Sequence, residues 1–195
     1  MAINLMNISK RYDDKVVLDN ISYDIKEGVT TCIMGPSGSG KTTLLRILMD
    51  LEQPEMGAVT GLENMQKSSV FQEDRLCENL TVASNIRMTR RQPLEADKIV
   101  DAIKKVKLPP DCLKQSVRHL SGGQKRRVAI LRAVMTDYDI LFMDEPFKGL
   151  DLETKKQVMT YVKKITQGKT VILVTHDEIE CQVMSDEVIN FSVSR

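Results

Sequence analysis

Thr30-Thr-Cys-Ile-Met-Gly-Pro-Ser-Gly-Ser-Gly-Lys-Thr42 is the stretch whose reading decides the fold. Thr30 to Met34 is a short, β-branched, apolar run that enters a glycine-rich turn directly. Beyond the turn, from Lys41 to Glu52, Leu44, Ile47, Leu48 and Leu51 fall at helical spacing. Strand, loop and helix in that order make one half of a βαβ unit. The turn fits G-x-x-x-x-G-K-[ST] at every fixed position. Its glycines let the backbone wrap closely round a phosphate with successive N–H groups pointing inward. The helix that follows adds its positive N-terminal end. Lys41 reaches the β/γ-phosphates and the Thr42 hydroxyl ligates Mg²⁺. The expected nucleotide contacts are Gly35, Pro36, Ser37, Gly38, Ser39, Gly40, Lys41, Thr42 and Thr43. A nucleoside triphosphate is the ligand this loop fits.

Working outward, the N-terminal third reads as strands. Ile21, Tyr23 and Ile25 alternate with Asn20, Ser22 and Asp24, a period of two. From about Glu73 to Met135 the pattern turns helical, with Ala96, Ile99, Ile103 and Val106 between Pro93 and Pro109-Pro110. A second helix is expected from Gly122 to Met135, carrying Val128, Leu131 and Met135. Alternation then returns. Ile140–Met143 and Val171–Val174 are continuous apolar runs suited to strands covered on both faces. Val158, Tyr161, Val162 and Ile165 form a helical stripe between them, closed by Gly168, and a last strand is expected over Val188–Phe191. Strands alternating with helices argue for an α/β fold with a largely parallel sheet.

At 195 residues the chain suits one domain, or one domain with an inserted subdomain. The expected division is a core of approximately residues 1–72 and 136–195 around a helical subdomain of approximately 73–135. Lys+Arg 28 against Asp+Glu 27 gives a net charge of +1, too weak a field to make nucleic acid or an anionic membrane the default partner. With 4 Tyr, 4 Phe and no Trp there is no broad base-stacking platform either. Cys32, Cys77, Cys112 and Cys181 are scattered, which fits reduced thiols in the cytosol and no zinc site. No signal peptide and no bilayer-length apolar run is present, so action at a membrane requires docking on another chain.

Asp144-Glu145 ends the apolar strand Ile140–Met143. A carboxylate there, beside a phosphate loop, suits a magnesium-held triphosphate, and Glu145 is placed to orient or deprotonate an attacking water. An acidic turn closed by Pro146 is the competing account. Leu120-Ser-Gly-Gly-Gln124 settles the class. Ser121 looks like an N-cap, and Gly122 and Gly123 expose the first N–H groups of a helix, making a second anion site about 80 residues after the first.

With that pentapeptide the chain resembles the ATP-binding cassette (ABC) ATPases. The resemblance implies a P-loop NTPase fold: a RecA-like core, an N-terminal antiparallel β-subdomain and an inserted α-helical subdomain. It implies ATP and Mg²⁺ as cofactors. It also implies that Ser121, Gly122, Gly123 and Gln124 close over the nucleotide of a partner subunit in a head-to-tail dimer. Gln72 matches the glutamine that contacts Mg²⁺ and hinges the insertion, so the implied metal set is Thr42, Gln72 and Asp144. His176 matches the switch histidine, which with Glu145 and Gln72 completes the implied catalytic set. His119, the other of the chain's 2 histidines, sits in no motif and reads as structural. Asp151 matches the aspartate that links the two subunits, with a helix N-cap an equally sound account. Tyr12, 23 residues before Gly35, matches the aromatic that stacks on adenine.

The resemblance runs from Ile3 to Phe191, with two departures. The chain stops 19 residues after His176, so no fused regulatory module is expected. Phe147-Lys-Gly-Leu-Asp151 replaces the family's usual small residue followed by Ala-Leu-Asp. Val70-Phe-Gln-Glu-Asp-Arg-Leu76 and Asp144-Glu-Pro-Phe147 are similar to the ATPase subunits of nitrate, sulfonate and taurine-type importers. The implied function is an ATP-hydrolysing subunit peripheral on the cytoplasmic face of the cell membrane. Its implied partners are a second, identical ATPase subunit, integral-membrane permease subunits and a substrate-binding protein, with no nucleic acid. A soluble ABC ATPase serving a non-transport partner such as a cluster-assembly scaffold is the alternative. A P-loop kinase would leave Leu120–Gln124 unexplained.

Overall fold

The computed structural model describes residues 2–191; the ends of the expected 1–195 domain, Met1 and residues 192–195, lie outside the described residues. β1 (Ala2–Tyr12) and β2 (Lys15–Lys26) form an antiparallel hairpin whose turn places Asp13 at φ 50°. β3 (Thr30–Met34) leads through the glycine-rich turn into α1 (Lys41–Leu48). β4 (Met56–Thr60) returns to the hairpin and pairs with β1, giving the order β2-β1-β4. β5 (Lys67–Val70) opens a second sheet. The chain next runs through α2 (Val82–Arg87), α3 (Ala96–Lys105), two 3₁₀ turns and α4 (Gly122–Val134). β6 (Ile140–Asp144), α5 (Leu152–Ile165), β7 (Thr170–Thr175), α6 (Glu178–Met184) and β8 (Glu187–Asn190) complete the alternation. The second sheet is wholly parallel, in the order β5-β6-β7-β3-β8.

The continuous apolar runs have a simple cause, since the parallel sheet is covered on both faces. Cys32, Leu141, Met143, Val171 and Leu173 pack among the helices α2 to α6. Ile33, Ile140, Phe142, Ile172 and Val174 point the other way, onto Leu44, Leu45 and Leu48 of α1 and Ile3, Leu5, Ile8 and Leu18 of the antiparallel sheet. Each buried side chain of that size contributes about 1.5–3 kcal/mol. Register places Met34 beside Thr175, Val174 beside Asp144, and Val70 beside Met143. All four loops that follow those strands leave from the same, C-terminal edge, where open α/β sheets bind ligands.

α1 is shorter than the sequence suggests, ending at Leu48 rather than Glu52. Asp50 takes a left-handed φ of 60°, its N–H bonds Ile47 O, and Leu51 N–H bonds Arg46 O, a Schellman stop. Leu51 consequently leaves the apolar face and is exposed.

Candidate nucleotide site

The turn after β3 is shaped by neighbours as much as by any ligand. A Cβ on Gly35 would meet Phe191 O at 2.2 Å, because the end of β8 crosses there and Phe191 N–H donates to Met34 O. Gly40 sits at φ 95° with Val17 O 2.7 Å from where its Cβ would be, so no side chain fits at the mouth of α1. Lys41 folds back over the loop: its Nζ donates to Gly35 O (2.8 Å), Pro36 O (2.7 Å) and Ser39 Oγ (3.4 Å). Burial pushes the Lys41 ammonium below its ordinary pKa, against the pull of Glu145 and Asp144. A cation held only by neutral oxygens at the start of a helix is an arrangement that an anion completes.

A cavity of about 250 Å³ opens on this loop, lined by Val17, Ser37, Gly38, Gly40, Lys41, Thr42, Thr43, Gln72, Glu145 and Val174. Three separate sequence motifs thus meet on one cavity. Gln72 arrives from the loop after β5, and Glu145 from the loop after β6. Asp144, at the end of β6, is 5% exposed and accepts a hydrogen bond from the Thr42 hydroxyl. Burial raises its carboxyl pKa, with Thr42 opposing. A hydroxyl paired with one carboxylate is the hard oxygen set that Mg²⁺ takes alongside phosphate and water oxygens. No group of three or more His, Cys, Asp or Glu side chains able to cage a metal exists among the described residues. Such a site fits an ion that arrives with a polyphosphate.

Glu145 itself has a left-handed φ of 44°, strained for a non-glycine residue and the kind of outlier that marks working sites. Its Oε1 lies 2.8 Å from His176 Nδ1, and its Oε2 is 3.3 Å from Lys148 Nζ. Burial works to raise the carboxyl, but the bonds from His176 and Lys148 prevail and hold it below the usual carboxylate range. Lys148 is the residue at which the chain departs from the family's small side chain, and this ion pair shows where that side chain goes. A carboxylate so held stays ionised at neutral pH and is oriented by two groups, as a base for water requires.

The remaining expected residues stand apart from the cavity. Tyr12, 43% exposed as a residue, ends β1 with its hydroxyl between Glu52 and Thr43 and with Lys10 Nζ 5.5 Å from the ring centroid. Ser121 caps α4 in a capping box, accepting from Gln124 N–H (3.3 Å) while Gln124 Oε1 accepts from Ser121 N–H (2.9 Å). Gly122 opens on empty space, and neither it nor Ser121, Gly123 or Gln124 lines the cavity. Asp151 caps α5, accepting from Thr154 N–H at 2.9 Å, so the N-cap account of that residue holds.

One residue central to the site carried no sequence signal. Arg126, on α4 and 4% exposed, donates through Nε to Pro146 O (2.7 Å) and through Nη1 to Phe71 O (2.6 Å), Gln72 O (3.3 Å) and Asp74 Oδ1 (3.1 Å). Its Nη2 donates to Asp144 O (3.1 Å) and Glu145 O (2.5 Å). A single guanidinium therefore joins the Gln72 loop to the Asp144–Pro146 turn. Val17, on the rim of the cavity, was likewise invisible to motif reading.

The fold and the site together define a P-loop nucleotide-binding protein of cassette architecture. The family profile described as ABC transporter matches residues 18–148, and the chain belongs to that family. It is 37% identical over 203 residues to the spermidine/putrescine import ATP-binding protein PotA of Nitratidesulfovibrio vulgaris, covering 96% of this chain and 55% of that one. It is 35% identical over 212 residues to the sulfate/thiosulfate import ATP-binding protein CysA 2 of Rhizobium meliloti, covering 98% and 58%. The chain thus spans a little over half the length of the curated relatives it matches. The dimeric structure of the bacterial ABC transporter cassette MJ0796 superposes with a TM-score of 0.84 at 30% identity, over 97% of this chain and 94% of that one. A post-hydrolysis dimer of the same cassette bound to ADP and Pi gives 0.83 at 30%, over 99% and 97%.

Proposed function

We propose that this chain binds and hydrolyses ATP as the motor subunit of an ABC importer. The observation that carries the proposal is the meeting of Lys41, Gln72 and Glu145 on one cavity, with Glu145 held by His176 at 2.8 Å. Gly35 to Thr43 cradle the phosphates, and Tyr12 offers its exposed ring to adenine. Thr42, Asp144 and Gln72 would hold Mg²⁺, which supplies charge neutralisation at the β/γ-phosphates. Glu145 takes the proton of the attacking water, and His176 keeps the carboxylate aimed. Lys41 stabilises charge developing on the transferred phosphoryl group.

Ser121 to Gln124 and Asp151 act across a head-to-tail dimer of identical chains, each helix N-terminus facing the partner's nucleotide. Residues 73–135 move as a helical unit about Gln72. A groove of about 420 Å³ between β5, Thr89, Arg91 and the end of α4 receives the permease. Among the described residues no helix is long and apolar enough to cross a membrane. On the proposed reading the chain works docked on a permease at the cytoplasmic face. A substrate-binding protein delivers the solute to the permease. Within importers, the Val70–Leu76 and Asp144–Phe147 stretches support the nitrate, sulfonate and taurine group.

Glu145→Gln tests the proposal. The variant should bind Mg·ATP with near wild-type affinity and lose most phosphate release; near-normal turnover overturns the assignment. Recovery of the ATP-trapped variant from native membranes with a multi-span permease supports the importer, and recovery with soluble partners alone refutes it.

A further inference from the structure

His176 is flanked by two residues, Thr175 and Asp177, that are fastened to a different part of the molecule from the nucleotide cavity. Lys155, on α5, donates through Nζ to Asp177 Oδ2 (2.8 Å) and to Glu180 Oε1 (2.7 Å). Glu180 Oε2 accepts from the Thr175 hydroxyl at 2.7 Å, and Asp177 N–H donates to that same Thr175 oxygen at 3.1 Å. Asp177 Oδ1 meanwhile caps α6, accepting from Ile179 N–H (2.9 Å) and Glu180 N–H (3.2 Å). The result is a closed ring, Lys155–Asp177–Thr175–Glu180, drawn tight around the backbone on both sides of His176.

The ring depends on its cation. The Glu180 side chain is 4% exposed and that of Lys155 18%, and a carboxylate buried that far needs an ammonium partner. Burial acts to lower the Lys155 pKa, but Asp177 and Glu180 outweigh it and raise it. Lys155 also stands one helical turn beyond Asp151, its N–H bonded to Asp151 O at 2.8 Å. The loop that carries Asp151 and the loop that carries His176 are therefore joined by one side chain. Lys155 does not line the nucleotide cavity and touches neither Glu145 nor His176 among the contacts described.

We propose that Lys155 is a positioning residue for hydrolysis, holding His176 against Glu145 and transmitting displacement of the Asp151 loop to that pair. The proposal rests on the reading that Glu145 and His176 perform the hydrolytic work. A 1 Å misplacement of a catalytic group costs on the order of 100-fold in rate. The ring controls a displacement of that kind and leaves the phosphate cradle unchanged.

The test compares Lys155→Met and Lys155→Arg with the wild type, well below each variant's Tm. Lys155→Met should lower kcat by about tenfold or more while KM for Mg·ATP stays within about twofold, the split expected of lost positioning. Lys155→Arg, which restores a cation able to reach two carboxylates, should recover most of the rate. In nucleotide-free protein the ring ¹⁵N resonances of His176 should shift in Lys155→Met and return in Lys155→Arg. The only other histidine, His119, should stay put. Should Lys155→Met fail to fold, Thr175→Val, which removes the hydroxyl bonded to Glu180, carries the same expectations. An unchanged kcat or unmoved His176 resonances overturns the proposal. Loss of turnover in Glu145→Gln with full turnover in Lys155→Met refutes the positioning role alone; full turnover in Glu145→Gln refutes the underlying reading.

Discussion

Replacing Arg126 with methionine removes the guanidinium while keeping most of its aliphatic stem, so packing along α4 is largely conserved. Six acceptors lose this donor, and five of them are backbone carbonyls, of Pro146, Phe71, Gln72, Asp144 and Glu145, at 2.5–3.3 Å. The side chain is 5% exposed, so water does not simply take its place, whereas Asp74, at 25%, stays solvated. Hydrogen bonds from a charged donor are worth about 1.5–3 kcal/mol each, and they do not add. Breaking a buried ionic cluster by removing one partner costs about 3–5 kcal/mol. A loss of about 4 kcal/mol is expected, a large fraction of the roughly 5–15 kcal/mol that holds a domain together. At about 2–4 °C per kcal/mol for a chain of this size, the Tm should fall by roughly 8–16 °C. Scanning calorimetry with and without Mg·ATP provides the measurement. The ATP-induced rise in Tm should also shrink, because the carbonyls of Asp144 and Glu145 are no longer pinned. Arg126→Lys should recover only part of either effect, since one ammonium cannot span both loops as the planar fork does. A fall in Tm under about 3 °C, with the ATP-induced shift intact, would refute the claim that this guanidinium holds the site together.

Two further expectations concern the loop and the ring. Gly40→Val puts a β-branched residue at φ 95° with its Cβ 2.7 Å from Val17 O, so nucleotide binding measured by fluorescence titration should be lost and Tm lowered; wild-type affinity would contradict the geometry. Lys155 lowers the Asp177 carboxyl pKa by hydrogen bonding. A depressed acid contributes stability that is complete above its unfolded value of about 3.9 and vanishes as pH falls through its folded value. The Tm advantage of wild type over Asp177→Asn should accordingly be constant near neutrality and shrink below about pH 4; an advantage unchanged down to pH 3 would contradict it.

What could be read in advance follows a physical line. The phosphate loop and Asp144-Glu145 stand out in the sequence because phosphate and water chemistry demand particular side chains at the ends of apolar strands, whereas only the family resemblance picks out His176. The strands themselves were legible because burial on both faces leaves uninterrupted apolar runs. β4 was missed because it is an edge strand whose Met56, Gly57 and Ala58 are exposed, so its pairing with β1 leaves no alternation. α2 and α6, with 6 and 7 residues, are too short for a helical period to register. Arg126 was missed for a different reason. Its acceptors are mostly main-chain carbonyls, which every residue carries, and they lie 18 to 55 positions away in sequence. Nor does α4 announce a face on which a buried cation would look anomalous: Val128, Ala129, Ile130 and Leu131 are all buried in succession.

The same distinction separates the finished half of the site from the unfinished half. Around Lys41 the chain supplies partners of its own, loop carbonyls for the ammonium and His176 for Glu145 Oε1. At the start of α4 the capping box satisfies Ser121 and Gln124 from within, and Ser121 and Gly122 face solvent away from the cavity. A helix N-terminus with exposed glycine amides can hold an anion, and neither Ser121 nor Gly122 lines the cavity that Lys41 lines. On the proposed reading the unused anion site and the half-enclosed cavity are complements, each completed only by a second copy. Hydrolysis would then depend on protein concentration with an order above one, whereas nucleotide binding to the Lys41 cradle would not.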